Sequence, residues 1–170
     1  MRNIEINKSH SIDQKFTKNY SNFKRHIEQD HFLKVLIVED DLNLIPIWQH
    51  SVNLTHKDIR IDWATSYEVA ENKIRLNYRR GCPYDLVIAD INLSGTQTGI
   101  DLWNRVGEEV LRFVFVTGMS MSVFEFYKSL NYGAPSFFKK PLNVKLCMEI
   151  IDCVERNFKK GGIYEHQHRL

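Results

Sequence analysis

The sequence predicts an α/β fold, a doubly wound parallel sheet of five strands accompanied by five helices. Three observations carry that reading. Between residues 34 and 141, apolar runs of strand length alternate with segments of helical period, the pattern of repeated βα units. The runs VLIV, LVIA and FVFV show no polar alternation, as expected of strands covered by helices on both faces. The composition, 43% hydrophobic, 12% aromatic and 26% charged, is that of a chain able to bury a core.

The expected strands are 35–38, 59–63, 86–89, 112–117 and 136–138. The expected helices are 43–54, 67–78, 100–109, 121–132 and 144–158, each with apolar residues recurring at three- and four-residue spacing. Pro46 would break a helix interior but is tolerated in a first turn, where its missing N–H has no partner to lose. In the last helix Val144, Cys147, Ile150, Ile151 and Val154 form one stripe. These elements define a domain at 33–158. Before it, residues 1–32 form an extension in which Ile12, Phe16, Tyr20, Phe23 and Ile27 predict an amphipathic helix over 11–29, with Ser11 and Gln14 fitting a capping box. After it, 159–170 holds a Gly pair and no periodicity, and reads as a tail.

With 23 basic and 21 acidic side chains the net charge is +2, too small to drive nucleic-acid binding by phosphate neutralisation. Six of those bases and four of the acids lie in residues 1–31, so the remainder is formally neutral. Three cysteines without CxxC spacing argue against a disulfide framework or a zinc site. No apolar run reaches the roughly 18 residues of a membrane span, and MRNIEINKSH lacks a signal-peptide apolar region. A cytoplasmic protein, without direct nucleic-acid or membrane partners, is expected.

Ligands of doubly wound sheets bind at the carboxyl ends of the strands. There the first strand runs into Glu39, Asp40 and Asp41, and the third into Asp90. Like charges gathered beside buried strands are costly unless a cation neutralises them, and an all-oxygen site of few carboxylates suits Mg2+. The fourth strand ends in Thr117 and the fifth in FFKKP, with Lys140 before Pro141. A hydroxyl, an ammonium, carboxylates and a divalent cation together can neutralise the oxygens of a phosphoryl group during in-line transfer. The bland alternative is that each is an ordinary solvated residue at a loop start.

VLIVEDD at 35–41, LVIADINLSGTQTGIDL at 86–102, VFVTGMS at 114–120 and GAPSFFKKP at 133–141 resemble the motif blocks of a response-regulator receiver domain, in family order. The resemblance implies a flavodoxin-like sheet of order 2-1-3-4-5. It makes Asp90 the phosphoacceptor, with Mg2+ held by Glu39, Asp40, Asp90 and the backbone carbonyl of Asn92. Thr117 and Lys140 would touch the phosphoryl group, Thr117 and Phe137 would form the switch, and Asn92 and Met119 would tune the lifetime of the phosphorylated state. The implied donor is a histidine kinase or histidine phosphotransfer protein, and the output a downstream protein target or a homodimer. Glu39 stands where Asp is commoner in that family, Ser94 where Pro is frequent, and Gly99 one place later than usual, which leaves the conformation of the loop from Ser94 to Gly99 open. No output domain is expected after 158. Two rival readings are a phosphorylation-independent pseudo-receiver and a phosphatase of the haloacid dehalogenase type. The latter carries its nucleophile after the first strand, whereas Asp90 follows the third.

Overall fold

The computed structural model describes residues 32–55, 58–118, 120 and 135–159, with side chains to 152. The elements are β1 (Leu33–Val38), a 3-10 turn (Leu42–Leu44), α1 (Ile45–Leu54), β2 (Ile59–Ala64), α2 (Tyr67–Arg79), β3 (Leu86–Ala89), α3 (Gly99–Val106), a second 3-10 turn (Gly107–Glu109), β4 (Phe113–Thr117), β5 (Ser136–Lys139) and α4 (Val144–Lys159). The sheet is five-stranded, ordered β2-β1-β3-β4-β5, and every pairing is parallel. The expected helix 121–132, the helix 11–29 and the residues beyond 159 lie outside the described residues.

Successive strand residues point to opposite sides of the sheet, and the core divides accordingly. Leu36, Val38, Val87, Ala89, Phe113 and Phe115 pack under α2 and α3, against Ala70, Ile74, Leu102 and Val106. Val35, Ile37, Leu86, Ile88, Val114 and Val116 pack on the other side, against Trp48 of α1 and Cys147, Ile150 and Ile151 of α4. Burial of both faces explains the unbroken apolar runs VLIV, LVIA and FVFV within β1, β3 and β4.

Two expected helices are shorter than their periodicity suggested. The 43–54 segment begins as a 3-10 turn, because Asp41 Oδ1 accepts from the Asn43 N–H at 3.0 Å and caps the chain there; α1 starts at Ile45, with Pro46 in its first turn. The 100–109 segment gains Gly99 at its start and gives way after Val106 to the second 3-10 turn. A Cβ on Gly107 would lie 2.6 Å from the Trp103 ring, so a glycine is needed where chain and indole meet. The second strand gains Ala64, the fourth begins one residue later, and the fifth extends to Lys139.

Below the sheet, at the amino ends of β1 and β3, a polar cluster ties strands to helix. The Lys34 N–H donates to Asp85 Oδ2 at 2.7 Å, its ammonium reaches Asn77 Oδ1, and the Tyr84 hydroxyl donates to Asp62 Oδ2 at 2.6 Å. The ammonium also lies 5.0 Å from the centre of the Tyr84 ring. Burial and the neighbouring Asp62 push the Tyr84 hydroxyl far above its ordinary pKa, so it acts as a donor at every physiological pH.

Candidate functional site

Backbone pairing sets the site before any side chain is considered. The Asp90 N–H donates to the Val38 carbonyl at 2.9 Å, Glu39 N–H to Ala64 O at 2.9 Å, and Lys140 N–H to Thr117 O at 2.9 Å. The ends of β1, β3, β4 and β5 are thereby level, and the residues that follow them meet above the sheet. Lys140 and Pro141 are joined by a cis peptide bond.

Lys140 is the centre of the cluster. Its Nζ donates to Glu39 Oε2 at 2.7 Å and to Asp90 Oδ2 at 2.6 Å. Both carboxylates are buried, as is Thr117 at the end of β4. The second oxygen of each acid is taken by the backbone: Asp90 Oδ1 accepts from the Asn92 N–H at 2.9 Å, and Glu39 Oε1 from the Asp41 N–H at 3.3 Å. Burial pushes the Glu39 carboxyl above its ordinary pKa of 4.5; the Asp90 charge acts in the same direction, and Lys140 offsets them only in part. For Lys140, burial works most strongly against the ammonium, yet the hydrogen bonds and charges of Asp90 and Glu39 together outweigh it and hold its pKa above the ordinary 10.5.

Asp40 and Asp41 stand apart from this pair. Asp40 is exposed, and its Oδ2 accepts from the Ser94 N–H at 3.2 Å. Asp41 belongs to the 3-10 turn it caps and not to the acidic cluster its sequence position suggested. Phe137 is half-buried, opposite Phe115 in the β4–β5 register, and packs against the core on the α2–α3 side. Asn92 is exposed, one residue beyond the buried Ile91. Met119 lies outside the described residues.

Gly99 shows why the long loop after β3 ends where it does. A Cβ at this position would lie 2.1 Å from the Asp90 carbonyl oxygen, so only glycine lets α3 start this close to the acid. The Gly99 N–H donates back to the Ile91 carbonyl at 3.0 Å. Gly95, at φ +121° in the same loop, takes a backbone conformation that favours glycine.

Glu39, Asp40 and Asp90 against the single Lys140 ammonium leave a net charge of about minus two, which a divalent cation balances. The donors are all oxygen, as Mg2+ prefers. Among the described residues no three acidic, histidine or cysteine side chains close into a ready cage.

Residues 35–152 match the response regulator receiver domain family. The chain belongs to that family. Among curated proteins it is similar to the response regulator ArlR of Staphylococcus epidermidis, 25% identical over 122 residues, or 72% of this chain and 52% of the relative. The chain thus spans about half the length of the curated relatives it matches. Among solved structures, the receiver domain of HemR from Leptospira biflexa is 28% identical with a TM-score of 0.57, covering 71% of this chain and 92% of that one. A CheY-like receiver domain from Methanospirillum hungatei, 21% identical, superposes with a TM-score of 0.61 over 77% of this chain and all of its own. The latter shares the fold. Residues 35–152 are thus a receiver domain of the two-component response regulators. No described helix is long and apolar enough to cross a membrane.

Proposed function

We propose that this receiver is a phosphorylation-activated switch that takes a phosphoryl group from a phosphohistidine donor onto Asp90. The observation that carries this reading is the contact of Lys140 Nζ with both Glu39 and Asp90, at 2.7 and 2.6 Å, in a buried crevice at the strand ends. An ammonium held this way is placed to follow negative charge from the carboxylate to a phosphoryl oxygen.

In the transfer, an Asp90 carboxylate oxygen attacks phosphorus, the new O–P bond forms as the donor's N–P bond breaks, and the bond's electron pair leaves with the imidazole. Glu39, Asp40, Asp90 and the backbone carbonyl of Asn92 are the groups that would hold Mg2+. The ion supplies neutralisation of the charge carried by the incoming phosphoryl oxygens. Lys140 and Thr117 neutralise the oxygens that remain, and the Asn92 N–H keeps the Asp90 carboxylate in one orientation. Removal of Lys140 from Glu39 and Asp90, with Thr117 drawn toward the phosphoryl group, would change the space open to Phe137 and so alter the surface around β5. The donor would be a histidine kinase or a histidine phosphotransfer protein, and output would pass through contact with a protein target or a second copy. The chain would turn over only its own phosphoryl group.

Acetyl phosphate with Mg2+ tests this. Intact mass should rise by one phosphoryl group in the wild type and remain unchanged in Asp90→Asn. Modification of the Asp90→Asn protein, or none of the wild type, would overturn the assignment. The latter outcome would favour the pseudo-receiver.

A further inference from the structure

The three acids of the site differ in how much of each carboxylate is already engaged. Both oxygens of Glu39 and both of Asp90 accept a hydrogen bond from Lys140 or from the backbone. Asp40 has one oxygen engaged, by the Ser94 N–H at 3.2 Å, and its Oδ1 has no hydrogen-bond partner among the described residues. Asp40 is also exposed, whereas the other two are buried. The acid nearest solvent is therefore the one with an oxygen to give, and what orients it is a backbone amide 54 residues away in sequence.

We propose that Ser94 is a positioning residue: its backbone N–H fixes the Asp40 carboxylate so that Oδ1 faces an incoming divalent cation, and it couples the 92–98 loop to occupancy of the site. This rests on the reading above that Asp40 is a cation ligand. A ligand held by an outer hydrogen bond loses less freedom on binding than one that rotates, which is why such outer partners tune metal affinity by one to two orders of magnitude. The serine hydroxyl has no part in this. Any residue except proline supplies the N–H.

The loop is anchored for this purpose at both ends. At one end the Asn92 N–H is bound to Asp90 Oδ1. At the other, the Gly99 N–H is bound to the Ile91 carbonyl, and Thr98 caps α3. Ser94 lies between these anchors, beside the left-handed Gly95, and is the loop residue whose amide reaches across to the β1 end of the site.

Backbone amide signals of the full-length 15N-labelled protein, followed during titration with magnesium chloride, test the proposal without any activity measurement. Ser94→Pro should weaken Mg2+ binding by about tenfold, while Ser94→Ala, which retains the N–H, should bind like the wild type. Exchange of the Ser94 amide with solvent should be several-fold slower in the wild type than in Asp40→Ala. Protection of the Gly99 amide reports whether the loop base survives the proline. If it does not, the Asp40→Ala comparison decides. Equal affinity of the proline and alanine variants, or equal Ser94 exchange with and without the Asp40 carboxylate, overturns the positioning role. Failure of the wild type to bind Mg2+ at all would overturn the cation reading itself, a different result from the first two.

Discussion

At Lys140 a single ammonium serves two buried carboxylates, and the balance is uneven: the pKa of Glu39 remains raised even with that ammonium 2.7 Å away. Lys140→Ala should therefore cost about 1–3 kcal/mol of stability in cation-free buffer, because two buried acceptors lose their donor. The cost should depend on pH. A carboxyl whose folded pKa lies above its unfolded value costs nothing below the unfolded value and penalises folding as pH rises through the folded one. Without Lys140 that penalty grows, so the deficit in urea unfolding should be larger at pH 7.5 than at pH 5. Equal deficits would mean that the ammonium does not neutralise the pair. The meeting of Glu39, Asp90 and Lys140 at one edge was legible in the sequence because Glu39 and Asp90 directly follow apolar strand runs and Lys140 follows the end of the fifth strand, and parallel strands bring such positions together. The Ser94–Asp40 bond and the Lys34–Asp85 bond were not, since they join residues 54 and 51 apart through geometry that no local pattern encodes. Asp41 misled because its neighbours suggested a cluster, while its side chain had a nearer use in capping a turn.

Among the elements, α3 shows how a short helix can be kept in place beside a reactive group. Eight residues cannot sustain a helix alone, and α3 relies on burying Leu102 and Val106 and on its cap. In that cap Asp101 N–H donates to Thr98 Oγ1 at 3.2 Å, while the Thr98 N–H and hydroxyl donate to Asp101 Oδ2 at 2.8 and 2.7 Å. The Thr98 backbone N–H, followed by its hydroxyl, holds the Asp101 carboxyl below its ordinary 3.8. Thr98→Ala should cost about 1 kcal/mol at pH 7. A depressed carboxyl pKa contributes stability above the unfolded value and loses it as pH falls through the folded one. The wild-type advantage should therefore narrow at pH 3 without vanishing, since Oγ1 still accepts from Asp101. A difference independent of pH would show that the hydroxyl's bond to the carboxylate adds nothing, since the backbone N–H remains in both proteins. Hydrophobic period located this helix and the strand before it, β3 to the residue. It overran the helix end, because the chain leaves the helical conformation at Val106, at φ −133° and ψ 8°, a change that the apolar period does not mark.

Across the whole molecule, the sheet order was legible only through the motif blocks, because alternation of strands and helices predicts a doubly wound sheet without ordering its strands. The order observed places β1 beside the central strand β3, and the ends of both carry the acids. The fold thus concentrates negative charge where these two interior strands stop, and the cost of that charge falls on the stability of the entire domain. A cation that binds the folded site and not the unfolded chain repays part of it by mass action, by about 1.4 kcal/mol when Mg2+ is tenfold above its dissociation constant. For a domain of this size that corresponds to a rise in Tm of about 4 °C. Thermal unfolding with and without magnesium chloride should show the shift in the wild type. Chelation should reverse it, and Asp40→Ala should lose most of it, because the exposed acid is the one with an oxygen to give. Magnesium should also narrow the deficit of Lys140→Ala, since cation and ammonium relieve the same buried pair. A wild-type Tm indifferent to magnesium would mean that Lys140 already neutralises the crevice, and that the charge at the strand ends carries no cation.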